Sequence, residues 1–289
     1  VGGIYTANPE TLSLRATLPR FLDMERKHRS VILAMLRQGQ PTGTSGARYS
    51  LFLSFDQGLE VLVSALARAV PNVRLNTRIN AIGKFNETWT LKTDTGETFE
   101  ADAVCLAVPA YIAASLLRDT NDQLASQLNA IKYASTATIN LAYPRSAIKH
   151  PLNGFGFVVP FIEKRSLIAC TFSSVKFSDR APADHVLLRA FAGGALQPDV
   201  FNLDDLGPRI ESDLCDLLGI SGKPSFTEIT KWERSMPQYE VGHLDRVQAI
   251  ERHGMAGLAL AGNSYRGAGI PDCIRSGETA AETLINFAA

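Results

Sequence analysis

The chain has no apolar run close to the ~18 residues that a bilayer-spanning helix needs, and it carries no signal-peptide pattern. Its four cysteines (Cys105, Cys170, Cys215, Cys273) are far apart and form no CxxC pair. That usage predicts reduced, buried thiols and a cytoplasmic protein. The five histidines share no metal-ligand spacing with one another or with the cysteines, and no GxSxG elbow occurs. Metal-assisted and serine-nucleophile chemistry are thereby set aside, and no metal is expected. Net charge is also lacking, with 29 basic against 29 acidic side chains, so nothing favours nucleic acid as a partner. A GxGxxG phosphate loop is missing throughout the 289 residues.

What remains is 45% hydrophobic and 20% charged, enough for about two domains with real cores. Residues 1–50 hold seven Lys/Arg against three acids, a local basic excess that reads as a solvated helix face or an anionic-surface contact. Helix-period apolar residues (Leu18, Phe21, Leu22, Val31, Ile32, Met35, Leu36) predict a helical stretch over 8–38, interrupted at Pro19 and ended by Gly39. "QPTGTSGA" (40–47) reads as a polar loop, and Leu59, Leu62, Val63 and Leu66 mark the next helix.

Strand patterns take over from 73. "DTG" at 94–96 predicts a hairpin turn, and "AVCLAV" (103–108) predicts a strand covered on both faces. Residues 110–130 read as helical. Strand-like runs follow at 136–143, 154–161, 166–174 and 185–195, then a helix at 203–218 with Leu206, Ile210, Leu214 and Leu217 on one face.

The most informative stretch is "LALAGNSYRGAGIPDCIRSGETAAETLINF" (258–287), where an apolar strand enters a glycine-rich bend that opens into a helix. Ile270, Cys273, Ile274, Gly277, Ala281 and Leu284 repeat at helical spacing, which predicts one buried face, and Pro271 suits the first turn. Gly262, Gly267 and Gly269 bare the backbone where the first N–H groups of a helix are unpaired. Such an end carries about half a positive charge and suits a phosphate, a carboxylate or an electron-rich carbonyl. A glycine-rich connection that exists only for packing is equally open.

"AGNSYRGAGIPDCIRSGETAA" resembles the C-terminal flavin motif of the FAD-dependent protoporphyrinogen oxidases, in the amine-oxidase-like flavoprotein superfamily. "GGIYTANPETLSLRATLPRF", "SFDQGLEVLVSALA", "TDTGETFEADAVCLAVPA", "GFGFVVP" and "KWERSMPQYEVGH" are similar to further landmarks of that family, in the same order. The resemblance covers nearly the whole chain and implies the C-terminal portion of such an enzyme, beginning after the GxGxxG unit.

The fold it implies is α/β plus α+β. An incomplete FAD-binding α/β domain would comprise 51–118 and 236–289, and a mixed-sheet substrate domain 119–235. Residues 1–50 would end a helical, membrane-facing region. The implied reaction takes protoporphyrinogen IX or coproporphyrinogen to the porphyrin of heme biosynthesis, with hydride passed to FAD and electrons then passed to oxygen or another acceptor. FAD belongs to the full-length enzyme on this reading, and whether this stretch retains it, or is active alone, stays open.

The resemblance places Ile79, Trp232, Gly262, Asn263, Ala268, Gly269, Ile270 and Pro271 at the cofactor; for Trp232 a plain core role is as open. Phe155, Phe157, Leu167 and Phe172 fall where an apolar slot would receive the tetrapyrrole, with Arg165, Arg180 and Arg266 as candidate partners of its carboxylates. Simple core burial or solvation accounts for these residues as well. Asp272 reads as a first-turn acid. No catalytic residue is assigned. Peripheral membrane contact and self-association into a homo-oligomer are further expectations. Two alternatives remain: another enzyme of the superfamily, such as an amine oxidase or carotenoid desaturase, and a flavin-free module that binds a tetrapyrrole or a protein partner.

Overall fold

A computed structural model describes residues 5–37 and 53–288. The 40–47 loop, Gly39 and the first two residues of "LFLSF" lie outside the described residues. The chain divides into two compact units. One draws on 1–9, 41–73 and 134–236, the other on 10–40, 74–133 and 237–289.

The first unit is built on one five-stranded sheet. Its strands are β5 (Tyr133–Pro144), β6 (Gly156–Val158), β7 (Leu167–Phe172), β8 (His185–Gly193) and β9 (Phe226–Pro237), in the order β6-β7-β8-β5-β9. The pairs β6–β7, β7–β8 and β8–β5 are antiparallel. β9 also runs against β5, since Gln238 N–H donates to Lys132 O at one end and Ser225 N–H to Ala142 O at the other. The molecule's mixed character therefore lies between its sheets and not inside this one.

Alternation decides which face of β5 is covered: Ala137, Ile139, Leu141 and Tyr143 point into the core, as period-two side chains must. The helix Leu206–Leu218 lays Leu206, Ile210, Leu214 and Leu218 on that core. Leu218, four residues after Leu214, takes the buried place that the sequence assigned to Leu217, which stays exposed. Gly219 then ends the helix in the left-handed conformation, φ +61°.

The second unit opens with three short helices, Leu14–Thr17, Pro19–His28 and Val31–Arg37, where one interrupted helix was expected. Ser13 caps the first, Pro19 starts the second, and left-handed Arg29 (φ 56°) ends it. A meander follows, β1 (Ile79–Phe85), β2 (Thr88–Thr93) and β3 (Thr98–Ala101), in order along the sheet and antiparallel. Its tight turn falls at the expected "DTG", closed by Gly96 N–H to Thr93 O and Glu97 N–H to Thr93 Oγ1.

β4 (Val104–Leu106) pairs in parallel with β10 (Leu258–Leu260). Val104 and Leu106 are buried, but Cys105 between them is exposed, so this strand is covered on one face and not on both. Helices Ala110–Leu117 and Asp122–Asn129 pack behind it with Trp89, Leu124 and Leu128. A helix at His243–Arg252, absent from the sequence reading, and the 19-residue helix Ile270–Ala288 complete the unit.

Candidate functional site

Each unit carries part of what the sequence singled out. In the second, β10 delivers the chain into the bend 262–269, which enters the long helix at Ile270. Two glycines of the bend have positive φ, +114° at Gly262 and +146° at Gly267. A β-carbon on Gly267 would stand 2.5 Å from the Asp272 carboxylate, whereas one on Gly262 would meet nothing within 4 Å. Gly267 is thus required by the first-turn acid, and Gly262 faces open space.

Four side chains hold the bend at five points. Ser276 Oγ accepts the Gly262 N–H at 3.1 Å. The Tyr239 hydroxyl donates to Asn263 O at 2.6 Å and accepts from Gly267 N–H at 2.9 Å. Tyr133 and Ser264 hydroxyls share a 2.6 Å hydrogen bond, and Tyr133 also accepts the Ala110 N–H. His243 Nε2 lies 2.7 Å from Tyr265 O. A carbonyl can only accept, so this nitrogen carries the proton. Burial holds the His243 imidazole below its ordinary value, partly countered by that bond, and the ring is neutral at pH 7.

At the mouth of the bend Gly269, Ile270 and Pro271 are exposed while Gly262, Asn263 and Ala268 are half-buried. Ile79 is half-buried at the start of β1. The helix face predicted to be buried is covered only in part: Ile270, Ile274 and Ala281 are exposed, Cys273, Gly277 and Leu284 are half-buried, and the helix's buried residue is Ala280, beside that face. Four buried thiols were expected, but only Cys170 is buried; Cys215 and Cys273 are half-buried, Cys105 is exposed, and all four are free.

The substrate-slot candidates lie in the first unit, and three of the four divide between two hollows. Leu167 lines one of about 180 Å³ with Thr6, Phe161, Arg165 and Gln197. Phe157 and Phe172 line another of about 290 Å³ with His150 and Leu217. Both fall below the usual range of ligand pockets, roughly 300–1,000 Å³. Leu167 and Phe172 belong to the core, with Phe172 edge-on to Phe157 at 6.0 Å. Phe155 projects from the surface.

Trp232 stands on β9, half exposed, its indole N–H donating to Thr138 Oγ1 at 3.1 Å; a core tryptophan it is not. The three arginines already have partners. Arg165 meets Asp213 and Asp216, Arg180 meets the carbonyls of Phe55 and Asp56, and Arg266 meets Glu251.

The residues present fit a flavin on one count. Exposed backbone at the head of a long helix, beside a glycine that opens onto free space, is what close approach of a planar, electron-rich ring demands. The profile of the family described as flavin containing amine oxidoreductase matches residues 1–285. The chain belongs to this family.

Among members of the flavin containing amine oxidoreductases, it is similar to the coproporphyrinogen III oxidase of Bacillus subtilis (strain 168). The two are 30% identical over 99% of this chain and 63% of that protein. It is also similar to the chloroplastic protoporphyrinogen oxidase 1 of Spinacia oleracea, 27% identical over 99% of this chain and 56% of that protein. A crystal structure from Exiguobacterium sp. 255-15, provisionally named a protoporphyrinogen oxidase, superposes with a TM-score of 0.83 at 32% identity. It covers 98% of this chain and 61% of that one. The chain thus spans about three fifths of the length of the relatives it matches. Tyr133, Tyr239, His243 and Ser276 escaped the sequence reading as determinants of the bend. "MPQYEVGH" is part of a family landmark, but nothing local tells that its tyrosine and histidine reach residues 263–267.

Proposed function

We propose that this chain is the portion of a porphyrinogen oxidase that presents the flavin bend and the tetrapyrrole-facing sheet. The whole protein would oxidise coproporphyrinogen III or protoporphyrinogen IX to the porphyrin. The observation that carries the reading is the similarity to the Bacillus subtilis coproporphyrinogen III oxidase over 99% of this chain, the exposed bend included.

FAD is the proposed cofactor; when bound it supplies a two-electron acceptor for the methylene-bridge C–H bonds and passes the electrons to oxygen or another acceptor. Gly262, Asn263, Ala268, Gly269, Ile270 and Pro271 would hold it through backbone, and Ile79 and Trp232 are carried as further contacts. The dipole of the 19-residue helix would favour negative charge on the group it faces. Phe155, Phe157, Leu167 and Phe172 are proposed for the apolar slot; the exposed Phe155 and half-buried Phe157 have side-chain surface to give without disturbing the core. Membrane contact through the basic N-terminal helices, and self-association through their exposed apolar residues, belong to the same proposal. No helix among the described residues is long and apolar enough to cross a membrane.

An anaerobic titration with coproporphyrin III and with protoporphyrin IX, followed by their absorption bands, tests the reading against a bulky amine as control. Saturable binding of either tetrapyrrole without binding of the amine is expected. A folded chain that binds the amine and neither tetrapyrrole sinks the proposal. Tighter binding of one porphyrin decides the substrate.

A further inference from the structure

The bend 262–269 has no regular secondary structure of its own, yet its two limbs are joined by one atom. The phenolic oxygen of Tyr239 donates to Asn263 O on the incoming limb and accepts from Gly267 N–H on the outgoing one. Those bonds are 2.6 Å and 2.9 Å long, so both are well formed. Tyr239 is 2% exposed, and water does not compete for that oxygen. A second buried ring fixes the first: His243 stacks on Tyr239 with centroids 4.0 Å apart and planes 15° from parallel. The same imidazole donates to Tyr265 O, midway between the two points that Tyr239 holds.

We propose that Tyr239 is a positioning residue for the cofactor-facing backbone, a clamp that sets the separation of the limbs of the bend, with His243 as its brace. The inference rests on the FAD reading above. Gly262 on the incoming limb and Ala268–Pro271 after the outgoing limb are the backbone proposed to meet the cofactor, and Tyr239 ties one to the other through residues 263 and 267. The two rings hold residues 263, 265 and 267, so their influence passes through the bend. The phenol is suited to this because it gives one proton and takes another at a single oxygen, which phenylalanine cannot do. His243 stays neutral beside it, and the stack carries no buried charge.

Tyr239→Phe keeps the ring and its stack and removes both bonds; His243→Gln keeps an N–H donor for Tyr265 O and removes the stacked ring. Amide hydrogen exchange of the flavin-free protein reads the clamp directly. In Tyr239→Phe the Gly267 amide should exchange about tenfold faster or more, the scale of one lost hydrogen bond. The Val104 amide, bonded to Gly257 O, should not change. FAD titration by quenching of its fluorescence should then show a dissociation constant raised about tenfold in Tyr239→Phe. The visible circular dichroism of the bound flavin should be altered, and His243→Gln should fall between Tyr239→Phe and the wild type.

Unchanged exchange at Gly267 overturns the clamp. Faster exchange with unchanged FAD affinity and dichroism overturns the positioning role and leaves the FAD reading intact. A wild-type protein that binds no FAD overturns that reading and the positioning role together, while the exchange result still reports on the clamp.

Discussion

A β-carbon on Gly257 would stand 2.9 Å from the indole nitrogen of Trp89, the largest fully buried side chain of the molecule. The same atom would lie 2.9 Å from Asp102 O, with φ at +73°. Gly257 O also accepts the Val104 N–H that starts the parallel pair β4–β10. Gly257→Ala should therefore destabilise the protein by about 1–3 kcal/mol, from overpacking and left-handed strain together. Urea denaturation followed by tryptophan fluorescence measures this, and a loss under 0.5 kcal/mol (about the scale of a surface change) would mean the contact relaxes freely.

Asn121 works at both ends of its amide. Its Oδ1 caps the helix Asp122–Asn129 by accepting Leu124 N–H at 2.9 Å, and its Nδ2 donates to His253 O at 3.1 Å. Asn121→Ala should cost about 1–2 kcal/mol, and Asn121→Asp, which keeps the cap alone, should cost less. Thermal melts of the two variants give the order.

The His243 imidazole is held below its ordinary value of 6.5, chiefly by burial. The unfolded chain therefore binds a proton more readily than the folded one. His243 costs the fold nothing above about pH 6.5 and subtracts stability progressively as pH falls below it. Stability measured from pH 8 to pH 5 should drop more steeply in the wild type than in His243→Gln. Parallel curves for the two proteins would place the acid sensitivity elsewhere.

Ile32 and Leu36, one turn apart on the helix Val31–Arg37, are 72% and 73% exposed. Apolar surface of that kind favours association. The double substitution Ile32→Glu, Leu36→Glu should lower the weight-average mass seen by light scattering at a given concentration and leave far-ultraviolet circular dichroism unchanged. An unchanged mass would exclude this face from any contact between copies.

The elements that read correctly from sequence are those whose own period meets one partner. The alternation along 136–143 and the three-and-four spacing of Leu206, Ile210 and Leu214 each describe one face on one core. The misreadings come where the partner decides. Cys105 sits in an unbroken apolar run, but the long helix buries its register partner Ala259 and leaves Cys105 itself exposed. The apolar stripe from Ile270 to Leu284 predicts a buried face, yet three of its six residues are exposed and the other three only half-buried. The helix His243–Arg252 hid because its polar sequence leaves only His243, Val247 and Ile250 to mark its buried face. Gly262 and Gly267 were legible as a bend; the tyrosine that joins its limbs was not, since it lies 24 and 28 positions away.

The attachments of the bend have a consequence for how it forms. Tyr133, Tyr239, His243 and Ser276 come from three well-separated stretches of chain, and their contacts with 262–267 close loops of very different length. Contacts of that kind form after local helices and hairpins, because loop closure must precede any gain from them. A peptide of residues 258–288 would hold the whole glycine signature and the Ser276 tie to Gly262, but none of the attachments made by Tyr133, Tyr239 and His243. The bend is a product of tertiary assembly, and its Gly267 amide is a late reporter of folding in this unit.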